Sequence, residues 1–211
     1  SKNEYREKNR AVPNFNTKEL LEKGGSPKKG LNIKADFIKK VNEFKPNLIL
    51  VSVVESTYFL AIDLLRSIPE KDRNYKTLFG GVFPTYASDK IIKNEYVDYV
   101  CRGEGEEPIM ELCNRFITGG RIDDVMNFTI KADGQIYKNK IRAGMDLNNV
   151  PIPDWDLFDP GSIYRPMQGG IYRAIGIETQ RGCPYTCTFC NSPANNIVYK
   201  EEADRIFHRK K

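Results

Sequence analysis

The run Leu48-Ile49-Leu50-Val51-Ser52-Val53-Val54 sets the terms for the rest of this chain. A continuous stretch of branched apolar residues, without polar alternation, reads as a strand buried on both faces, the signature of a parallel sheet. Its flanks change period. Phe37, Ile38, Val41 and Phe44 fall at helical spacing before it and end at Lys45-Pro46; Leu60, Ala61, Leu64 and Leu65 fall at helical spacing within Tyr58–Ile68 after it. The alternation continues through a strand at Thr77–Phe79 and a helix from Ser88 to Lys93 with Ser88 as N-cap. A strand at Val97–Cys101 and a helix at Glu107–Ile117, closed by Gly119-Gly120, complete it. Helices and strands alternating at this spacing imply βαβ crossovers in an α/β domain.

Further along, residues 127–131 and 135–139 flank Ala132-Asp133-Gly134 as a β-hairpin, and residues 146–169, with Pro151, Pro153, Pro160 and Pro166, read as a linker. Residues 1–30 are polar and broken by Gly24-Gly25 and Pro27, an extended arm with one helical turn at Lys18–Lys23. The expected division is therefore an arm over 1–30, an α/β domain over 31–121, a hairpin and linker over 122–170, and a last segment over 171–211. Three strands before the hairpin are few for a doubly wound sheet, so a part of the domain is expected upstream of Ser1.

The last segment carries the chemistry. A short apolar run, Ala174-Ile175-Gly176-Ile177-Glu178, reads as a strand and leads into Arg181-Gly182-Cys183-Pro184-Tyr185-Thr186-Cys187-Thr188-Phe189-Cys190. Thiols at C-x3-C-x2-C on one loop suit iron–sulfur or zinc ligation. A structural zinc site wants four ligands; here the only histidine is His208, and Cys101 and Cys113 lie far upstream, where both read as small core residues. Three thiolates on a four-iron cluster leave one iron open to a ligand, a catalytic arrangement. A zinc knuckle completed by another chain is the competing reading.

The loop resembles the signature of radical S-adenosylmethionine enzymes. The resemblance implies that Cys183, Cys187 and Cys190 hold a [4Fe–4S] cluster, that S-adenosylmethionine occupies the open iron, and that Phe189 lies beside the adenine. It also implies that the cysteine loop opens a (β/α) barrel, of which this chain holds the first unit.

Three strand-end loops form a second constellation, since ligands of open α/β sheets bind outside the carboxyl ends of the strands, near a switch point. They are Ser52 with Glu55-Ser56-Thr57, then Gly80-Gly81-Val82-Phe83-Pro84-Thr85, then Arg102-Gly103-Glu104-Gly105-Glu106-Glu107. Paired glycines allow positive φ and close approach of a ligand, although each loop alone is also a generic turn. Leu-Ile-Leu-Val-Ser, Phe-Gly-Gly-Val-Phe-Pro-Thr and Val-Asp-Tyr-Val-Cys-Arg-Gly-Glu-Gly-Glu-Glu in this order, with Pro151-Ile152-Pro153-Asp154-Trp155-Asp156 behind them, are similar to the cobalamin-binding domain that precedes the barrel in one large radical S-adenosylmethionine class. The resemblance spans residues 33–195. It implies a Rossmann-like sheet of the cobalamin-binding type, lacking its first strands. It implies cobalamin contacts at Ser52, Ser56, Thr57, Gly80, Gly81, Pro84, Thr85, Gly103 and Glu104. The chain lacks the D-x-H-x-x-G loop of methionine-synthase-type domains, so binding without a histidine beneath cobalt is expected.

The resemblance implies methyl transfer to an unactivated carbon or phosphorus, or a radical cyclisation or rearrangement. It brings a small-molecule or peptide substrate and an electron donor such as flavodoxin or ferredoxin. The 211-residue chain alone is expected not to turn over. Two other readings stay open: a radical enzyme whose first domain binds substrate in place of cobalamin, and a non-catalytic metal-binding module. Charge narrows the partners. Residues 1–40 hold eleven Lys and Arg against five Asp and Glu, and the remainder is near neutral within a net charge of +5. The basic residues are interspersed without stacking aromatics, which argues against nucleic acid. No apolar run reaches the length of a membrane span, and five cysteines with three in one loop suit a reducing, cytoplasmic setting.

Overall fold

A computed structural model of the chain describes residues 32–158, 163–167, 170–204 and 209–210. The arm, the turn at Lys18–Lys23, Pro160 and His208 lie outside the described residues.

Helix α1 (Ile33–Phe44) starts where the Asn32 carboxamide oxygen accepts from the Ala35 N–H at 3.1 Å, and stops at Lys45, which turns left-handed (φ 50°) before Pro46. Strand β1 (Leu48–Ser52) pairs in parallel with β2 (Lys76–Gly80), and β2 with β3 (Tyr99–Cys101). Between them run α2 (Glu55–Arg66) and α3 (Val82–Ile91); α4 (Glu106–Thr118) follows β3 and ends on left-handed Gly119. The sheet then turns antiparallel. Strands β4 (Phe128–Ala132) and β5 (Gln135–Lys138) join its far edge, giving the order β1-β2-β3-β4-β5. Asp133 and Gly134 both take positive φ, as a two-residue I′ hairpin requires.

Side chains alternate across this sheet. Phe79 and Val100 point into a core with Tyr58, Ile62 and Leu65 of α2 and Ile91 of α3. Leu78, Tyr99 and Cys101 point into a second core with Leu112 of α4, Phe128 and Ile130. Within residues 32–150 the expected helices and strands are present, with three corrections. The helix assigned to Ser88–Lys93 begins at Val82, with Gly81 as its cap residue; Ser88 is buried inside it, just past a kink at Ala87. Pro84 hid this start, yet it occupies the third helical position, where no intrahelical N–H bond is needed. Strand β1 is not buried on both faces: Leu50 is 54% exposed, because α4 packs over β3 and β4 and stops short of the sheet's first strand. The described strands also run in sequence order without a switch point.

Two compact units divide the chain, and this sheet belongs to residues 32–150 together with 180–211. In the latter segment, β8 (Gln180–Arg181) pairs antiparallel with β9 (Arg209–Lys210), and helix α5 (Ser192–Ala203) follows the cysteines. The described part of the other unit lies within 151–179. It holds a 3₁₀ turn at Trp155–Leu157, started by the Asp154 carboxylate accepting from the Asp156 N–H, and a hairpin of β6 (Tyr164–Met167) with β7 (Gly170–Arg173). That hairpin was unexpected in a proline-rich linker; a two-stranded ribbon is all edge, where Pro166 costs no ladder bond. The strand expected at Ala174–Glu178 forms no ladder, and Ile175 and Ile177 are exposed there.

Candidate functional site

Because α4 leaves β1 uncovered, an apolar cleft opens at the carboxyl ends of the parallel strands. Its volume is about 230 Å³, and Leu50, Leu78, Cys101 and Ile109 supply its apolar walls. Ser52, Gly80, Gly81, Gly103 and Gly105 form its lip. A Cβ on Gly80 would meet Cys101 and one on Gly105 would meet Ile109, both residues of the walls, and burial pushes the Cys101 thiol up to about 12, so this cysteine stays neutral as a wall. A wider depression of about 600 Å³ is bordered by Val54, Glu55 and Ser56, by Val82 and Phe83, and by Asn191 beyond the cysteines.

The loop residues expected to contact a cofactor divide into two groups. Ser52, Gly80, Gly81 and Gly103 line the cleft, and exposed Ser56 lines the depression. The others hold the protein together. Thr57 Oγ1 accepts from the Val54 N–H at 3.1 Å and donates to the Val54 carbonyl, capping α2. Pro84 is buried in the first turn of α3. Thr85 donates its hydroxyl to the Gly81 carbonyl at 2.9 Å and accepts from the Gly103 N–H at 3.0 Å, tying the second loop to the third. Glu104 accepts from the Met145 N–H at 2.8 Å and pairs with Arg181 at 3.4 Å. Two glycines are required by packing of the chain on itself. A Cβ on Gly81 (φ +104°) would stand 2.8 Å from the Val53 carbonyl, and one on Gly103 (φ +75°) would stand 2.5 Å from the Tyr199 hydroxyl.

The cysteine loop lies on the same unit. Cys187, Cys190 and Tyr185 are exposed, Cys183 is half-buried, and Phe189 is 92% exposed. The Ser192 side chain and backbone N–H bond the Cys190 sulfur, the latter at 3.4 Å, and hold that thiol below its ordinary range. Among the described residues no three Cys, His, Asp or Glu side chains converge on one point, these cysteines included. As a donor set, three thiols on one loop match a cluster with an open iron; the loop would close around it, since metal binding and ligand ordering are coupled.

Sequence reasoning missed the contacts that seat this loop. Before the cysteines, Arg181 reaches Glu106 at 2.5 Å as well as Glu104. Burial, the largest single influence, pushes Glu106 up, but the hydrogen bond and charge of Arg181 together with backbone hydrogen bonds outweigh it and hold its carboxyl below the usual range. After them, the Tyr86 hydroxyl of α3 bonds the Asn191 carbonyl at 3.0 Å and the Asn195 carboxamide at 2.5 Å. Buried Arg102 forms a two-pronged ion pair with Glu202 of α5. The one available signal was charge: Arg102, Glu104 and Glu106 beside a strand end, with Arg181 in the motif.

Residues 26–113 match the B12 binding domain model. The chain is 26% identical over 165 residues to an uncharacterized methyltransferase of Pyrococcus horikoshii, covering 75% of this chain and 34% of that one. It is 26% identical over 159 residues to the anaerobic magnesium-protoporphyrin IX monomethyl ester cyclase of Synechocystis, covering 74% and 31%. Among solved structures it resembles the apo form of the cobalamin-dependent S-adenosylmethionine radical enzyme OxsB, with a TM-score of 0.60 and 25% identity over 74% of this chain and 21% of that one. The chain thus spans about a third or less of the proteins it matches. Among the described residues no helix is long and apolar enough to cross a membrane. The domain match, the relatives and the shared fold agree in a likeness to cobalamin-dependent S-adenosylmethionine radical enzymes, with the B12 binding domain matched over residues 26–113.

Proposed function

We propose that the chain is the cofactor-binding part of an enzyme that couples a [4Fe–4S] cluster and S-adenosylmethionine to cobalamin, and that the reaction is methyl transfer to an unactivated carbon. The observation that carries this reading is the uncovered cleft at the strand ends, because the loops that form its lip also seat the cysteine loop. Cobalamin would lie with its apolar part against Leu50, Leu78 and Ile109 and its polar periphery at Ser52 and Ser56. Cys183, Cys187 and Cys190 would hold the cluster, and Phe189 the adenine. When bound, the cluster with S-adenosylmethionine supplies a carbon-centred radical and cobalamin supplies the methyl group. The chain's own part is to hold the two sites in fixed register and to keep water out.

A small-molecule or peptide substrate and a one-electron donor such as flavodoxin or ferredoxin are the partners proposed with it, in a cytoplasmic setting. Radical cyclisation is the second reading, favoured by the likeness to the cyclase of Synechocystis. Hydroxocobalamin binding by the whole protein tests the cleft. Leu50 is exposed at its mouth, so Leu50→Trp fills the cleft and leaves the fold intact. Corrinoid retained after desalting by the parent protein and lost by L50W supports the reading; equal retention by both removes the cleft from it.

A further inference from the structure

Among the described residues, helix α5 touches both the cysteines and the loop behind the cleft. Its first residue, Ser192, donates its N–H to the Cys190 sulfur. At its other end, two turns on, Tyr199 is buried: its hydroxyl accepts from the Glu104 N–H at 3.0 Å and sits against Gly103, where no side chain would fit. One turn further, Glu202 receives Arg102 on both oxygens and the Ile141 N–H at 3.1 Å. Among the described residues the Arg102 Nε has no partner and Nη1 also reaches the Asn139 carbonyl at 3.3 Å, so the carboxylate of Glu202 is the buried guanidinium's main compensation. The loop Arg102–Gly105 thus has the cleft on one side, through Gly103 and Gly105, and α5 on the other.

We infer that Tyr199 and Glu202 are positioning residues: they lock α5 to the Arg102–Gly105 loop, so that a corrinoid filling the cleft orders the cysteine loop at the helix's opposite end. The inference rests on the proposed function, in taking the cleft as the cobalamin site. Twelve helical residues form a rigid rod of about 18 Å, and its last turn meets that loop through both Tyr199 and Glu202. Neither residue lines the cleft or ligates a metal; both act through the elements they hold. A second tie runs through α3, where Thr85 bonds Gly103 and its neighbour Tyr86 bonds Asn191, so the lock has a parallel strut at the helix's near end.

Hydrogen exchange of the whole protein, before any cluster is loaded, reads this directly in peptides spanning residues 181–190 with and without hydroxocobalamin. The parent protein should slow exchange there by about fivefold or more on binding, the lower end of ordinary site-to-site coupling. Tyr199→Phe keeps the ring and removes only the hydroxyl; it should retain hydroxocobalamin and hold the slowing below about twofold, as expected when the coupling is lost. Glu202→Gln should do the same, and where its unpaired arginine prevents folding, Tyr199→Phe decides alone. Asp98 accepts from the Thr77 N–H at 2.9 Å in the same sheet without touching α5, so Asp98→Asn loosens the fold yet keeps the full response. Loss of hydroxocobalamin binding in the parent protein overturns the proposed function and the inference with it. Binding without slowing, or a Tyr199→Phe protein that responds like the parent, overturns the inference and leaves the cleft assignment standing.

Discussion

Gly103→Ala should be among the most damaging single-methyl changes in this chain, and the geometry sets its size. Gly103 holds φ +75°, and forcing alanine there costs about 1 kcal/mol. The added Cβ meets the Tyr199 Oη at 2.5 Å, Cζ at 3.1 Å and Cε2 at 3.4 Å. The ring is buried and has to move, which forfeits the hydroxyl's bond to the Glu104 N–H, about 1 kcal/mol. Repacking the displaced ring adds about 1 kcal/mol more. The total is about 3 kcal/mol. Tyr199→Phe removes the atom that clashes most, leaving Cζ at 3.1 Å, which a small shift relieves. In that background the cost of Gly103→Ala should fall by about 1 kcal/mol, a coupling that a double-mutant cycle resolves. Equilibrium urea unfolding followed by far-ultraviolet circular dichroism gives the four stabilities. A loss below about 0.5 kcal/mol for the single change, or additivity within about 0.3 kcal/mol, would refute the packing argument.

Thiol reactivity should separate the cysteines: Cys190, exposed and held low by Ser192, alkylates first, while buried Cys101, pushed up to about 12, stays unmodified in the folded chain; mass spectrometry after iodoacetamide at pH 7 ranks them. Alkali should unfold the chain early. Burial raises Cys101 from 9 and Tyr99 from 10, each to about 12, so the unfolded state releases protons that the folded state keeps. Stability is full below pH 9 and falls as pH rises toward 12, by up to about 1.4 kcal/mol per pH unit for each group; Cys101→Ala should flatten the slope of melting temperature against pH, and an unchanged slope would contradict it.

The sheet was legible because its signals are local. Branched runs at Leu48–Val54 and Val97–Cys101, separated by helical spacing, dictate strands and helices whatever lies around them. The I′ turn was written in Asp133-Gly134. The start of α3 was not, because Gly80-Gly81 and Pro84 signal a loop unless the proline falls in a first turn, which only the preceding strand's end decides. Nor was the cleft: Leu50 looks like core, and its exposure depends on where α4 lands. The cysteine spacing names the loop's candidate donors, but its seating depends on pairs about 100 residues apart, such as Arg102 with Glu202, and spacing carries no record of those.

The central claim is that one polypeptide holds a three-cysteine cluster and a corrinoid in register. Anaerobic iron–sulfide reconstitution of the whole protein with hydroxocobalamin, followed by desalting and electron paramagnetic resonance with and without S-adenosylmethionine, tests it most directly. Retained corrinoid is expected, with a reduced-cluster signal that shifts on adding S-adenosylmethionine and is absent after Cys183→Ala, Cys187→Ala and Cys190→Ala. A protein that retains zinc, with neither iron nor corrinoid, would contradict it.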